Sequence, residues 1–100
     1  MWPFRNPKAD LLVMLKEILL RISDSSFDPG CSEFRTREEA TKRYEDLLGE
    51  VEKGMATGAV RRLRSEFAPT GNLQELAMAN GWHGRYMAMA KRFDKLERSF

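Results

Sequence analysis

The sequence predicts an all-α fold, a small helical bundle of about five helices, on three observations. Apolar residues recur at spacings of three and four along most of the chain, helix-capping residues stand in front of those runs, and no stretch of useful length alternates with the two-residue period of a strand. Two of the helices are long, a further long helix closes the chain, and two are short.

Asn6 followed by Pro7 is a helix start, because the Asn side chain caps free amides and proline suits the first helical position. The first helix is predicted from Pro7 to about Asp24, with Leu11, Leu12, Leu15, Ile18, Leu19 and Ile22 on its core face. Asp28-Pro29-Gly30 sets turn angles and makes the stretch from Ser23 to Arg35 a loop. Thr36 with Glu39 reads as a capping box opening a second helix to about Ala56, whose seam is Ala40, Tyr44, Leu47, Val51 and Met55. Gly49 within it suggests a close helix crossing, since glycine is otherwise unfavourable there. Thr57-Gly58 is expected to break the chain before a short third helix with Ala59, Val60, Leu63 and Phe67 on its face. Pro69-Thr70-Gly71 ends it, Asn72 with Glu75 is expected to cap a fourth helix over Leu73 to Asn80, and Gly81 stops that helix. The last helix is predicted from Trp82 to Ser99, with Trp82, Tyr86, Met89, Phe93 and Leu96 in one stripe.

A chain of 100 residues has the size of one domain, read as 1–100 with a short aromatic arm at 1–6. Its 42% hydrophobic and 32% charged residues describe a globular protein rather than a disordered one. The most apolar run, Leu11 to Leu15, is followed by Lys16 and Glu17 and has no cleavage site, so neither a signal peptide nor a membrane span is expected. The single cysteine, Cys31, permits no intrachain disulfide and suits a reducing, cytoplasmic setting as a free thiol. The net charge of +2 conceals an asymmetry. Residues 1–60 carry 9 Lys/Arg against 11 Asp/Glu, whereas residues 61–100 carry 8 against 4.

Catalysis at neutral pH usually needs a histidine or an equivalent base held against a second group, and His83 is the only histidine. One His and one Cys fall short of a zinc site, and the acidic residues of the second helix lack the loop spacing of a calcium-binding hand. Gly54 and Gly58 are not followed by the Lys-Ser or Lys-Thr of a phosphate-binding loop. No enzyme, cofactor or metal is therefore expected.

Binding surfaces are better represented. Val13 and Leu20, seven residues apart, fall on the polar side of the first helix among Lys16, Glu17 and Arg21, and need a cover from another helix of the chain or from another subunit. Trp2 and Phe4, on the proline-stiffened arm, either pack on the bundle or reach across to another subunit. Opposite the apolar stripe of the last helix lie Gly84, Arg85, Ala88, Lys91, Arg92, Lys95 and Arg98, a one-signed basic face. That face either meets an anion or is neutralised by the acidic side of the second helix, with Glu45, Asp46, Glu50 and Glu52.

The segment from Leu73 to Met87 resembles a helix-turn-helix DNA-binding unit, Ala77 matching its small residue, Gly81 its turn glycine and Met87 its buried apolar position. Asn80 and Trp82, on either side of the glycine, depart from that pattern. The resemblance implies a reading helix within Trp82 to Arg92, with His83, Arg85, Ala88 and Arg92 as base or phosphate contacts. The leading expectation is nevertheless a non-catalytic helical interaction protein, a homodimer and small regulator that binds a larger protein, with nucleic-acid binding as the alternative and no membrane partner.

Overall fold

The first helix starts as its chemistry requires: the Asn6 side-chain oxygen accepts the Ala9 amide at 3.0 Å, and Pro7 takes the first helical position. The computed structural model describes residues 6–24 and 26–100, so Trp2 and Phe4 lie outside the described residues. The architecture is all-α: α1 (Pro7–Ser23), α2 (Arg37–Glu52), α3 (Ala56–Phe67), α4 (Asn72–Asn80) and α5 (His83–Leu96), with a 3₁₀ turn at Glu97–Ser99. No described helix is long and apolar enough to cross a membrane. α1 lies chiefly on α2 and also meets α5, while α2, α3, α4 and α5 pack each on the next.

The predicted stripes meet in one core, except that Met55, assigned to the seam of the second helix, stands beyond the end of α2 as the N-cap of α3 and is largely exposed. Leu11, Leu15, Ile18 and Ile22 of α1 face Ala40, Tyr44, Leu47 and Val51 of α2, and α3, α4 and α5 close the other side with Leu63, Leu73, Leu76, Phe93 and Leu96. Met14 is buried with them, although it stands outside the predicted face of α1. Aromatic rings fill the α3–α5 contact, Phe67 stacking on Phe93 at 4.7 Å and on Tyr86 at 6.2 Å. Phe34 drops from the loop before α2 into the core and meets Tyr44 edge-on at 5.9 Å.

Several boundaries differ from the sequence expectation. The break before α3 is at Lys53-Gly54-Met55 rather than Thr57-Gly58, which lie in the first turn of α3. Gly54 adopts φ +88, the Met55 amide reaches the Glu50 carbonyl at 2.8 Å and the Gly54 amide reaches Val51 at 3.1 Å, which is a left-handed glycine C-cap. α2 therefore ends four residues earlier than Ala56. Thr36 caps the Glu39 amide as expected, at 3.2 Å, and the Glu39 carboxylate accepts the amide of Arg35, one residue before the cap. Gly71, not Asn72, is the N-cap of α4, because the Asn72 side chain is taken up elsewhere. Gly81 ends α4 in the left-handed region at φ +81, as its position suggested, and Trp82 precedes α5 rather than opening it.

Asn80 departs from an apolar consensus for a structural reason. Its amide oxygen accepts the Asp28 N–H at 2.8 Å and its amide nitrogen donates to the Asp28 and Leu76 carbonyls at 2.7 and 2.8 Å, pinning the Asp28-Pro29-Gly30 turn to the end of α4.

The glycines fall into two kinds. A Cβ at Gly71 would stand 2.6 Å from the Ser65 carbonyl oxygen and within 2.9 Å of those of Glu66 and Ala68, all backbone atoms. At Gly49 a Cβ would meet nothing within 4 Å, so no helix crosses closely there, contrary to the sequence expectation. Gly71→Ala is accordingly expected to destabilise the fold by about 2 kcal/mol, whereas Gly49→Ala is expected to stabilise it by up to about 1 kcal/mol. Paired chemical-denaturation curves check both, and a destabilising Gly49→Ala would contradict the open site.

Candidate functional site

Two arrangements of polar groups organise the surface. The first is a clasp around Glu66, which occupies an apolar-face position of α3, three residues after Leu63, and is only 7% exposed. A buried carboxylate must be supplied with donors or protonated. Here Tyr44 donates its hydroxyl at 2.6 Å, Arg43 donates at 2.6 Å and Asn72 donates its amide at 3.2 Å. Arg43 also pairs with Glu33 and lies over the Phe34 ring at 5.1 Å. The Asn72 amide oxygen accepts the Glu33 N–H at 2.9 Å while its nitrogen donates to the Glu33 carboxylate at 3.0 Å. Burial, then the charge of Glu66, push the Tyr44 hydroxyl well above its ordinary 10.0, so it remains a donor. The Asn72 and Arg43 hydrogen bonds hold Glu33 below the usual carboxylate range. Every member has a partner within the group, and the clasp joins α2, α3, the start of α4 and the loop before α2.

The second arrangement runs between α1 and α5. Arg85 binds Glu17 through two hydrogen bonds, 2.7 and 2.8 Å, and Arg92 donates to Asp10 at 3.2 Å. Asp10 and Glu17 are seven residues apart on α1, and Arg85 and Arg92 are seven apart on α5, so both pairs are about 10.5 Å apart along their axes. Sequence number rises along one helix as it falls along the other, which makes the two helices antiparallel rungs of one ladder. This matched spacing was present in the sequence and is the signal by which Asp10 and Glu17 could have been found. The basic face of the last helix is thus partly neutralised by α1, not by the acidic side of α2. On that side Glu50 pairs with Arg62 of α3 and Asp46 with Lys42.

Between the rungs lies a groove of about 410 Å³ lined by Asp10, Val13, Met14, Glu17, Arg85, Ala88, Met89 and Arg92. Val13 forms its outer wall and is 65% exposed, as is Leu20, two turns further on. No other described helix covers this row, so the intrachain cover considered from sequence is not what the fold provides. Comparison with protein-family models, with curated proteins and with solved structures finds no match for this chain.

The remaining sequence candidates are dispersed around α5. Lys91 and Lys95 are exposed on its outer side, Ala88 is exposed in the wall of the α1–α5 groove, and His83 is exposed at its first position, its ring stacked against Tyr86 at 5.8 Å. Met87, expected to be buried by analogy with a helix-turn-helix, is 55% exposed. It borders a second groove of about 870 Å³ between α3 and α5, floored by Phe67, Tyr86 and Phe93, where Tyr86 donates to the Phe67 carbonyl at 2.7 Å. Cys31 is an exposed free thiol. Among the described residues no group of three or more His, Cys, Asp or Glu could hold a metal ion.

The ladder, together with Glu33 of the clasp, is expected to make the fold acid-sensitive. The Arg85 hydrogen bonds, above all, hold Glu17 below its ordinary 4.5. A carboxylate whose folded pKa is depressed contributes stability above its unfolded pKa and loses it as pH falls through the folded value. Urea midpoints are therefore expected to be flat near neutrality and to fall below about pH 4.5. Glu17→Gln should lower the neutral midpoint and flatten the acid decline, and a variant with the wild-type slope would show that the pair contributes nothing.

Proposed function

We propose that this chain is a non-catalytic helical interaction protein, a small regulator that adapts or inhibits a larger protein by docking through its α1 face, and that it works as a homodimer in a reducing, cytoplasmic compartment. The exposed Val13–Leu20 row carries this reading. Two large aliphatic side chains stand aligned on a helix whose opposite side already fills the core, so they add nothing to the packing of this chain. Partner binding would remove both from water and give the row a purpose that the fold does not. The ion pairs flanking the groove fit a polar rim around an apolar centre, the usual anatomy of a protein interface.

DNA binding through α5 is the second reading. In its favour, α4 and α5 meet at the left-handed Gly81, and Lys91 and Lys95 face outward with His83 at the helix start. Against it, two of the four side chains that the helix-turn-helix resemblance assigns to DNA, Arg85 and Arg92, are engaged by α1 carboxylates, and Met87 is exposed rather than buried.

Three variants separate the readings. Val13→Glu/Leu20→Glu is expected to lose association with a protein partner, read by co-elution in size-exclusion chromatography, while His83→Ala and Lys91→Glu/Lys95→Glu retain it. Duplex DNA of mixed sequence is expected to bind negligibly at moderate salt. Tight, sequence-selective DNA binding with a steep salt slope, abolished by Lys91→Glu/Lys95→Glu, would replace the first reading with the second.

A further inference from the structure

The chain has three asparagines, and the residue that follows each sets its chemistry. An asparagine amide is lost by cyclisation when the next backbone nitrogen gives up its proton and attacks the side-chain carbonyl carbon. Asn6 precedes Pro7, which has no N–H to give up. Asn72 precedes Leu73, whose fully buried side chain crowds that nitrogen. Asn80 precedes Gly81, which has no side chain to shield the nitrogen and where even an added Cβ would meet nothing within 4 Å. Asn80 is therefore the reactive one of the three, and it is also the residue that pins the Asp28-Pro29-Gly30 turn to α4.

The fold holds the reacting groups apart. The Gly81 N–H is engaged by the Ala77 carbonyl, and Asn80 is the last residue of α4, in a helical conformation that turns the Gly81 nitrogen away from the Asn80 side-chain carbon. The Asn80 amide is fixed in turn by three hydrogen bonds, accepting the Asp28 N–H at 2.8 Å and donating to the Asp28 and Leu76 carbonyls at 2.7 and 2.8 Å. The turn that holds it is seated tightly, since a Cβ at Gly30 would stand 2.8 Å from the Ala79 Cβ and 3.1 Å from the Glu75 carbonyl oxygen. Cyclisation thus requires the turn to lift and the end of α4 to fray.

We propose that Asn80 is a deamidation site and a one-way latch: the seated turn protects its amide, and conversion of that amide once the turn has lifted prevents reseating. The step needs only water. The Gly81 nitrogen bonds to the Asn80 side-chain carbon, the carbon–nitrogen bond of the amide breaks, and ammonia leaves carrying the Gly81 proton. Water then opens the five-membered imide at either carbonyl and restores the Gly81 N–H. The product is aspartate, or its isomer with the backbone routed through the side chain. Neither has a donor for the Asp28 and Leu76 carbonyls. Each also puts a negative charge at the C-terminal end of α4, where the helix dipole opposes it, and faces a turn that already carries the Asp28 carboxylate on the Gly30 amide.

The test holds the full-length protein in mildly alkaline buffer, folded or in urea. The tryptic peptide from Ser65 to Arg85, which contains both Asn72 and Asn80, is followed by mass spectrometry for conversion of amide to acid. In urea Asn80 is expected to convert about tenfold or more faster than Asn72, because glycine leaves the attacking nitrogen open. Folding is expected to slow Asn80 by about tenfold or more, and by at least the factor by which it slows hydrogen exchange of the Asp28 amide. Asn80→Asp reproduces one product, and exchange of the Asp28 and Gly30 amides in it should rise about tenfold or more while the Leu47 amide in the α2 core keeps its protection. Equal conversion of Asn80 in buffer and in urea, or a slowing smaller than that of Asp28 exchange, would show that the seated turn does not guard the amide and would overturn the proposal. So would an Asn80→Asp chain in which the Asp28 and Gly30 amides exchange as in the wild type, or one in which Leu47 loses protection with them, because the change would then be respectively silent or fold-wide rather than the release of a latch.

Discussion

A carboxylate placed among apolar neighbours must be satisfied, and the Glu66 side chain imposes that requirement on most of this fold. Its donors come from α2 and from the first residue of α4, and through Glu33 the group reaches the loop before α2. Removing water from such a group costs several kcal/mol, and hydrogen bonds to a charge return about 1.5–3 kcal/mol each. The arrangement is therefore better viewed as a device that fixes how elements meet than as a source of net stability. Apolar stripes alone would let α3 slide or rotate on α2, whereas a buried charge with directed donors accepts only one register.

The loop between α1 and α2 is held by the same logic at its other end. Asn80 grips Asp28 through both amide and carbonyl, Asp28 caps the Gly30 amide at 2.9 Å, and Gly30 at φ +53 brings the turn so close to Ala79 that a Cβ would stand 2.8 Å away. A connection rich in turn residues thereby becomes a strap across α4, and Phe34 at its end enters the core beneath the clasp. With α2, α3 and α4 tied in this way, α5 is left to meet α1 through exposed ion pairs. Such pairs contribute modestly, but two matched at equal spacing align the helices and leave Val13 beside an open groove.

This division decides what the surface can do. The guanidiniums of Arg85 and Arg92 are turned toward α1, so the basic face read from the last helix is reduced to Lys91, Lys95 and Arg98, and the groove beside them carries both signs of charge. Such a mixed face with an apolar centre offers a polyanion, which would seek one sign throughout, no uniform field, and it is this feature on which the protein-docking proposal rests.

The sequence by itself determined the all-α class, the stripes of α1, α2 and α5, the caps at Asn6 and Thr36, the stop at Gly81 and the exceptional status of Val13 and Leu20. These depend on the helical period, on side-chain to backbone hydrogen bonds within a turn, or on glycine geometry, all of which are local. Only the tertiary structure decided that Asn72 and Asn80 serve distant partners instead of a cap or a core position, that Glu66 is buried, that Gly49 faces open space and that Arg85 and Arg92 answer to α1. Each of these depends on groups far apart in the chain competing for the same side chain, and a helical wheel shows which way a residue points without showing what will be there to meet it.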